Sequence, residues 1–102
     1  MAKTPEGRVK DSVKKLFDEY EVWYCMPATH GYGRSGIPDF ISCYMGHFIA
    51  VETKTGKKQP TALQQREIRR IQEAGGYALV INEDNLHELR ALLNEIQACQ
   101  QS

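Results

Sequence analysis

Apolar positions along this chain recur at helical spacing in some stretches and in alternation in others, and the order of these stretches lays out the architecture. Val9, Val13, Leu16, Phe17 and Tyr20 form one stripe of a helix over residues 5–20. Thr4 is placed to cap it, and Pro5 suits its first position, where a missing N–H costs nothing. Val22, Trp23, Tyr24 and Cys25 supply the β-branched and aromatic side chains of a strand over residues 21–28. Residues 39–44 and 47–54 predict a hairpin around Met45-Gly46. In its second arm, alternation puts Phe48, Ala50, Glu52 and Lys54 on one face and Ile49, Val51 and Thr53 on the other. Both faces are apolar in the middle, which predicts a central strand covered on both sides.

A second helix is predicted from about Thr61 to Ala74, stopped by Gly75-Gly76. Leu63, Ile68 and Ile71 share one side of it with Gln64, while Arg66, Arg69 and Arg70 turn largely toward solvent or a ligand. Residues 77–81 are a short apolar strand. Asp84 or Asn85 then caps a last helix striped with Leu86, Leu89, Leu92, Leu93 and Ile96, with residues 97–102 expected to fray. The order α-β-β-β-α-β-α predicts an α/β fold with a mixed central sheet flanked by helices.

At 102 residues the chain is expected to be one domain with its core over about residues 4–98. A chain of this size buries roughly 60–68% of its unfolded surface, enough for one modest core. No apolar run approaches the length of a membrane span, and no basic-then-apolar leader opens the chain, so a cytoplasmic setting is expected, in a bacterium or a phage-infected host cell. The three cysteines are odd in number and widely separated, which supports neither a zinc ribbon nor a disulfide framework. Cys25 and Cys43 lie in strand-like runs and read as small core residues. Formal net charge is zero, which argues against an all-round basic coat. The charges are segregated, however. Lys54, Lys57, Lys58, Arg66, Arg69 and Arg70 face a single acid, Glu67, whereas Glu83, Asp84, Glu88 and Glu95 near the end face only Arg90. Two solvated helix faces, or a patch that attracts a polyanion, account equally for that distribution.

Three positions carry chemistry that packing does not require. Asp39 opens one arm of the hairpin and Glu52 lies near the end of the other, so antiparallel pairing brings both carboxylates to one end of the sheet. Two like charges there repel unless a cation lies between them, and a carboxylate on a buried strand must be paired, protonated or metal-bound. Oxygen ligands with open water positions suit Mg2+ or Mn2+, and no organic cofactor is expected. Lys54 projects to the same side as Glu52, where it can orient a water or hold an oxyanion. The Thr53 carbonyl is a further oxygen ligand, Glu6 could complete the shell through water, and Gln64 could fix Lys54 or a scissile phosphate. Other readings stand beside these: Glu6 as a plain complement to its helix dipole, and Gln64 as a bond to a strand end. The glycine-rich stretch from His30 to Gly36, with Arg34 and Tyr32, is either a phosphate-contacting loop or a plain connection. Trp23, Tyr24 and Tyr32 are either core residues or an exposed aromatic interface.

Pro38-Asp39 followed by Glu52-Thr53-Lys54, with twelve residues between the acids, resembles the PD-(D/E)XK nuclease superfamily. It resembles more closely the stand-alone form of the virus-type replication-repair nuclease (VRR-NUC) domain. The resemblance extends to Glu6, Gly36, Thr61-Ala62-Leu63-Gln64 and Ala74-Gly75-Gly76, and so spans roughly residues 4–93. It implies a restriction-endonuclease-like core and metal-dependent DNA cleavage. Asp39, Glu52 and the Thr53 carbonyl would be metal ligands, Lys54 the catalytic lysine, and Glu6 and Gln64 accessory site residues. Arg34, Lys57, Lys58, Arg66, Arg69 and Arg70 are the candidate DNA contacts. Similarity to Holliday-junction resolvases implies a homodimer acting on branched DNA, such as junctions or flaps, in repair, recombination or phage replication. A non-catalytic nucleic-acid-binding module on the same fold is the competing reading, and an assembly protein is a third that leaves Glu52 unexplained.

Overall fold

A computed structural model of the chain describes residues 3–28 and 33–100. The elements are α1 (Pro5–Glu19), β1 (Trp23–Cys25), β2 (Phe40–Tyr44), β3 (His47–Thr53), α2 (Ala62–Glu73), β4 (Tyr77–Ile81) and α3 (Leu86–Gln100). The sheet runs β1-β2-β3-β4, antiparallel across the first two pairings and parallel across the last. This is the α/β fold expected, with a mixed sheet and the order α-β-β-β-α-β-α. The parallel pair needs a crossover connection, and α2 supplies it. No helix among the described residues is long and apolar enough to cross a membrane.

Alternation in β3 assigns the two faces. Ile49, Val51 and Thr53 are fully buried on one side, where Phe40, Tyr44 and Ile81 join Val13, Leu16 and Phe17 of α1 and Leu89, Leu93 and Ile96 of α3. Phe17 packs edge-on against Phe40, with centroids 5.9 Å apart. Across the surface, Tyr20 Oη donates to Asn94 at 2.6 Å and ties the end of α1 to the middle of α3. The opposite face carries Phe48, Ala50 and Glu52, and α2 covers only its β3–β4 half.

Several expectations are corrected. The first strand is three residues long, not eight. Cys25 pairs with Ile41, and β2 begins at Phe40 behind Pro38, which has no N–H to give. Upstream, Glu21 turns the chain through a left-handed conformation (φ 58°). Cys25 is half-buried and Cys43 exposed, neither in the core, because no helix covers that part of the sheet. Trp23 is also exposed, whereas Tyr24 packs against the core; Tyr32 and His30 lie outside the described residues. On α2, Leu63 is exposed and Glu67 is buried. Finally, α3 does not fray at 97 but continues to Gln100, held by Ile96 at 3% exposure.

Candidate metal and phosphodiester site

The hairpin fixes the site. Met45 and Gly46 both adopt positive φ (50° and 83°), the turn geometry that matches strand twist, and the resulting register pairs Phe40 with Val51. One residue further out, Asp39 lies at the end of β3. Its Oδ2 accepts from the Thr53 N–H at 2.9 Å and from the Thr53 hydroxyl at 2.6 Å. Lys54 donates its own N–H to Ile81 of β4. Backbone alternation along β3 therefore turns the N–H and C=O of Thr53 toward the Asp39 side.

Glu52 is buried at 2% exposure. Its Oε2 accepts from Gln64 Nε2 at 3.0 Å and pairs with the Lys54 ammonium at 3.4 Å. Gln64 reaches it because the first turn of α2 is locked by a capping box: Thr61 Oγ1 accepts from the Gln64 N–H while Gln64 Oε1 accepts from the Thr61 N–H. One amide side chain thus closes the helix end and holds the buried acid. The other oxygen of Glu52, Oε1, is the one buried side-chain polar atom among the described residues with no hydrogen-bond partner. Burial first, and the neighbouring Asp39 charge second, push the Glu52 carboxyl above the ordinary glutamate range, against the opposing pull of Lys54.

The structure therefore brings together Asp39, Glu52, Thr53, Lys54 and Gln64. It places Glu6 differently. Glu6 is exposed and lies 4.0 Å from Lys10, whose ammonium is 3.9 Å from Asp39 Oδ1. Lys10, which the sequence reading missed, bridges the two acids; its only signal was standing one turn after Glu6. No group of three His, Cys, Asp or Glu side chains among the described residues forms a ready-made metal cage. Lys54 and Lys58 line a hollow of about 340 Å³ beside Glu6.

Of the basic candidates, Lys57, Lys58, Arg69 and Arg70 are exposed. Arg34 is ion-paired with Glu67, and Arg66 lies 4.0 Å from the same carboxylate. Glu67, counted in sequence as the lone acid of a basic run, is thus the anchor that holds the loop before β2 against α2. That loop sits close. Gly36 has φ 82°, and a Cβ on it would lie 2.5 Å from the Leu63 carbonyl oxygen.

No family model and no curated protein matches the sequence. Among solved structures, one titled a VRR_NUC domain matches with a TM-score of 0.69 at 29% identity, over 78% of this chain and 86% of that one. In fold, and over most of its length, this chain is similar to a VRR-NUC domain.

Proposed function

We propose that the protein is a metal-dependent nuclease that hydrolyses DNA phosphodiester bonds at the Asp39–Glu52 site. The observation that carries this reading is the bare, buried Oε1 of Glu52 beside a second carboxylate. An acid withdrawn from water and set against a like charge is costly, and an arriving cation relieves both costs. Asp39, Glu52 and the Thr53 carbonyl would hold Mg2+ or Mn2+, with Glu6 reaching it through water. Such an ion, when bound, lowers the pKa of a water and offsets charge on phosphorus oxygens.

The remaining work falls to side chains. Thr53 holds Asp39 Oδ2 by two hydrogen bonds, which fixes the direction of Oδ1. Gln64 orients Glu52. Lys54, mostly buried and aimed at Glu52, is positioned to orient the attacking water and to balance charge developing on the phosphate. Lys54→Met is expected to lower the cleavage rate by about 10²–10⁴-fold with little change in DNA affinity, measured by single-turnover kinetics beside a binding titration. A variant that cuts at the parental rate would remove Lys54 from the chemistry.

The exposed Lys57, Lys58, Arg69 and Arg70, and the outer parts of Arg34 and Arg66, would meet the DNA backbone. Each protomer has one such site, and paired cuts on a branched molecule need two at fixed separation, which favours a homodimer acting on junctions or flaps in repair, recombination or phage replication within the cytoplasm. The test is a panel of four-way junctions, flaps, splayed arms and blunt duplex incubated with Mg2+, Mn2+ or chelator. Products confined to branched substrates with metal support the reading. Salt-sensitive binding without products on any substrate would leave a binding module in its place.

A further inference from the structure

The half of the sheet that α2 leaves uncovered lies on the same face as Glu52. Register places Trp23 beside Cys43 and Cys43 beside Phe48 in one row, and Cys25, Ile41 and Ala50 in the next. Glu52 follows Ala50 on the same side of β3. Within this apolar floor Trp23 is 63% exposed and Phe48 41%. Exposure this large for two aromatic rings in line has a cost that core packing does not repay. On the α2 side of the sheet, the Arg34–Glu67–Arg66 cluster joins the loop before β2 to α2, with two guanidinium groups to one carboxylate. The net positive charge of that cluster and the exposed rings match the two needs of an unpaired nucleic-acid strand, charge for phosphates and flat apolar surface for bases. Glu21 stands next to Trp23 at a hollow at the strand end, where its carboxylate would turn a phosphate chain away, whereas the charge of Glu19 there is offset by Arg90.

We infer that this open face is a stacking platform for unpaired DNA nucleotides leading from the cleavage site to Trp23. Four residues along β3 and two strands across give a track of about 16 Å by ordinary strand spacings, long enough for a few nucleotides. The inference rests on the nuclease reading for its direction and adds the substrate feature that the site selects: a single-stranded arm next to the scissile bond.

Trp23 is the only tryptophan in the chain, so its emission reports the platform directly. The full-length protein, kept in chelator to prevent turnover, is titrated with a short oligothymidylate and separately with a blunt duplex of equal length. Saturable quenching by the oligothymidylate and not by the duplex is expected. Trp23→Ala should bind the oligothymidylate roughly 5- to 150-fold more weakly, in keeping with about 1–3 kcal/mol per stacked base, and Trp23→Phe should restore most of that loss. Binding without quenching, or equal affinity in Trp23→Ala, overturns the inference. So does a blue shift that grows with protein concentration and ignores the oligothymidylate, which would assign the face to a second copy of the chain. Because no cleavage is read, the outcome is separable from the nuclease reading: quenching without metal-dependent products anywhere retires the nuclease, and products without quenching retire the platform.

Discussion

Replacing Glu52 with glutamine is expected to abolish DNA cleavage while making the metal-free protein harder to unfold. The carboxyl is held above its ordinary range in the folded protein by burial and by Asp39. The folded state therefore binds more protons than the unfolded state between the ordinary carboxylate value and the raised one. Stability falls as pH rises through that window, and above it the full cost is in place. Glutamine keeps the shape, still accepts from Gln64, and carries no charge. Lys54 loses its partner but retains some contact with water, at 17% side-chain exposure. The gain should be about 1 kcal/mol at pH 7, the low end of the cost of an unsatisfied buried group, or some 4–8 °C in a domain of this size. Thermal unfolding in chelator checks it. The two proteins should converge as pH drops into the carboxylate range, and Mg2+ should raise the midpoint of the parent alone. A less stable Glu52→Gln protein at pH 7 would mean that Lys54 and Gln64 already satisfy the ionised acid, leaving no reason for a cation.

The second large effect is expected at a residue that touches no substrate. Gly36→Ala forces a side chain onto a left-handed backbone and drives a Cβ to 2.5 Å from a backbone carbonyl, which cannot rotate away as a side chain would. Strain and overpacking together are expected to cost about 2–4 kcal/mol, a fall on the order of 10–20 °C in the unfolding midpoint. Because the obstructed carbonyl belongs to Leu63, relief of the clash displaces the first turn of α2 and with it the Gln64 amide on Glu52. Cleavage measured well below the lowered midpoint should still be slower than the parent. An unchanged rate there would show that the loop and α2 are not coupled to the site.

The sequence carried most of the frame, and the meeting of the residues proposed for the centre of the candidate site, for identifiable reasons. A tight turn at Met45-Gly46 admits one hairpin register, and that register alone sets Asp39 beside Thr53 and Glu52. The 3.6-residue period put Gln64 on the inner side of α2, where it holds Glu52. What stayed hidden depends on contacts between segments far apart in the chain. Burial of Glu67 is invisible without Arg34, which arrives from an irregular loop. Lys10 reaches Asp39 through the length of its own side chain, which no spacing rule describes. Alternation could not report the exposure of Trp23 and Cys43, because it tells which residues share a face and not whether a helix covers it.

The central claim is that Asp39 and Glu52 form a cation-dependent hydrolytic site. Its most direct test is a cleavage time course on a four-way junction and a splayed-arm DNA, with Mg2+ or with chelator, for the parent and for Asp39→Ala. Products that form only with the parent and only with metal, from an Asp39→Ala protein that remains folded and binds the same DNA, are the predicted result. Cleavage by Asp39→Ala at the parental rate, or by the parent in chelator, would contradict it.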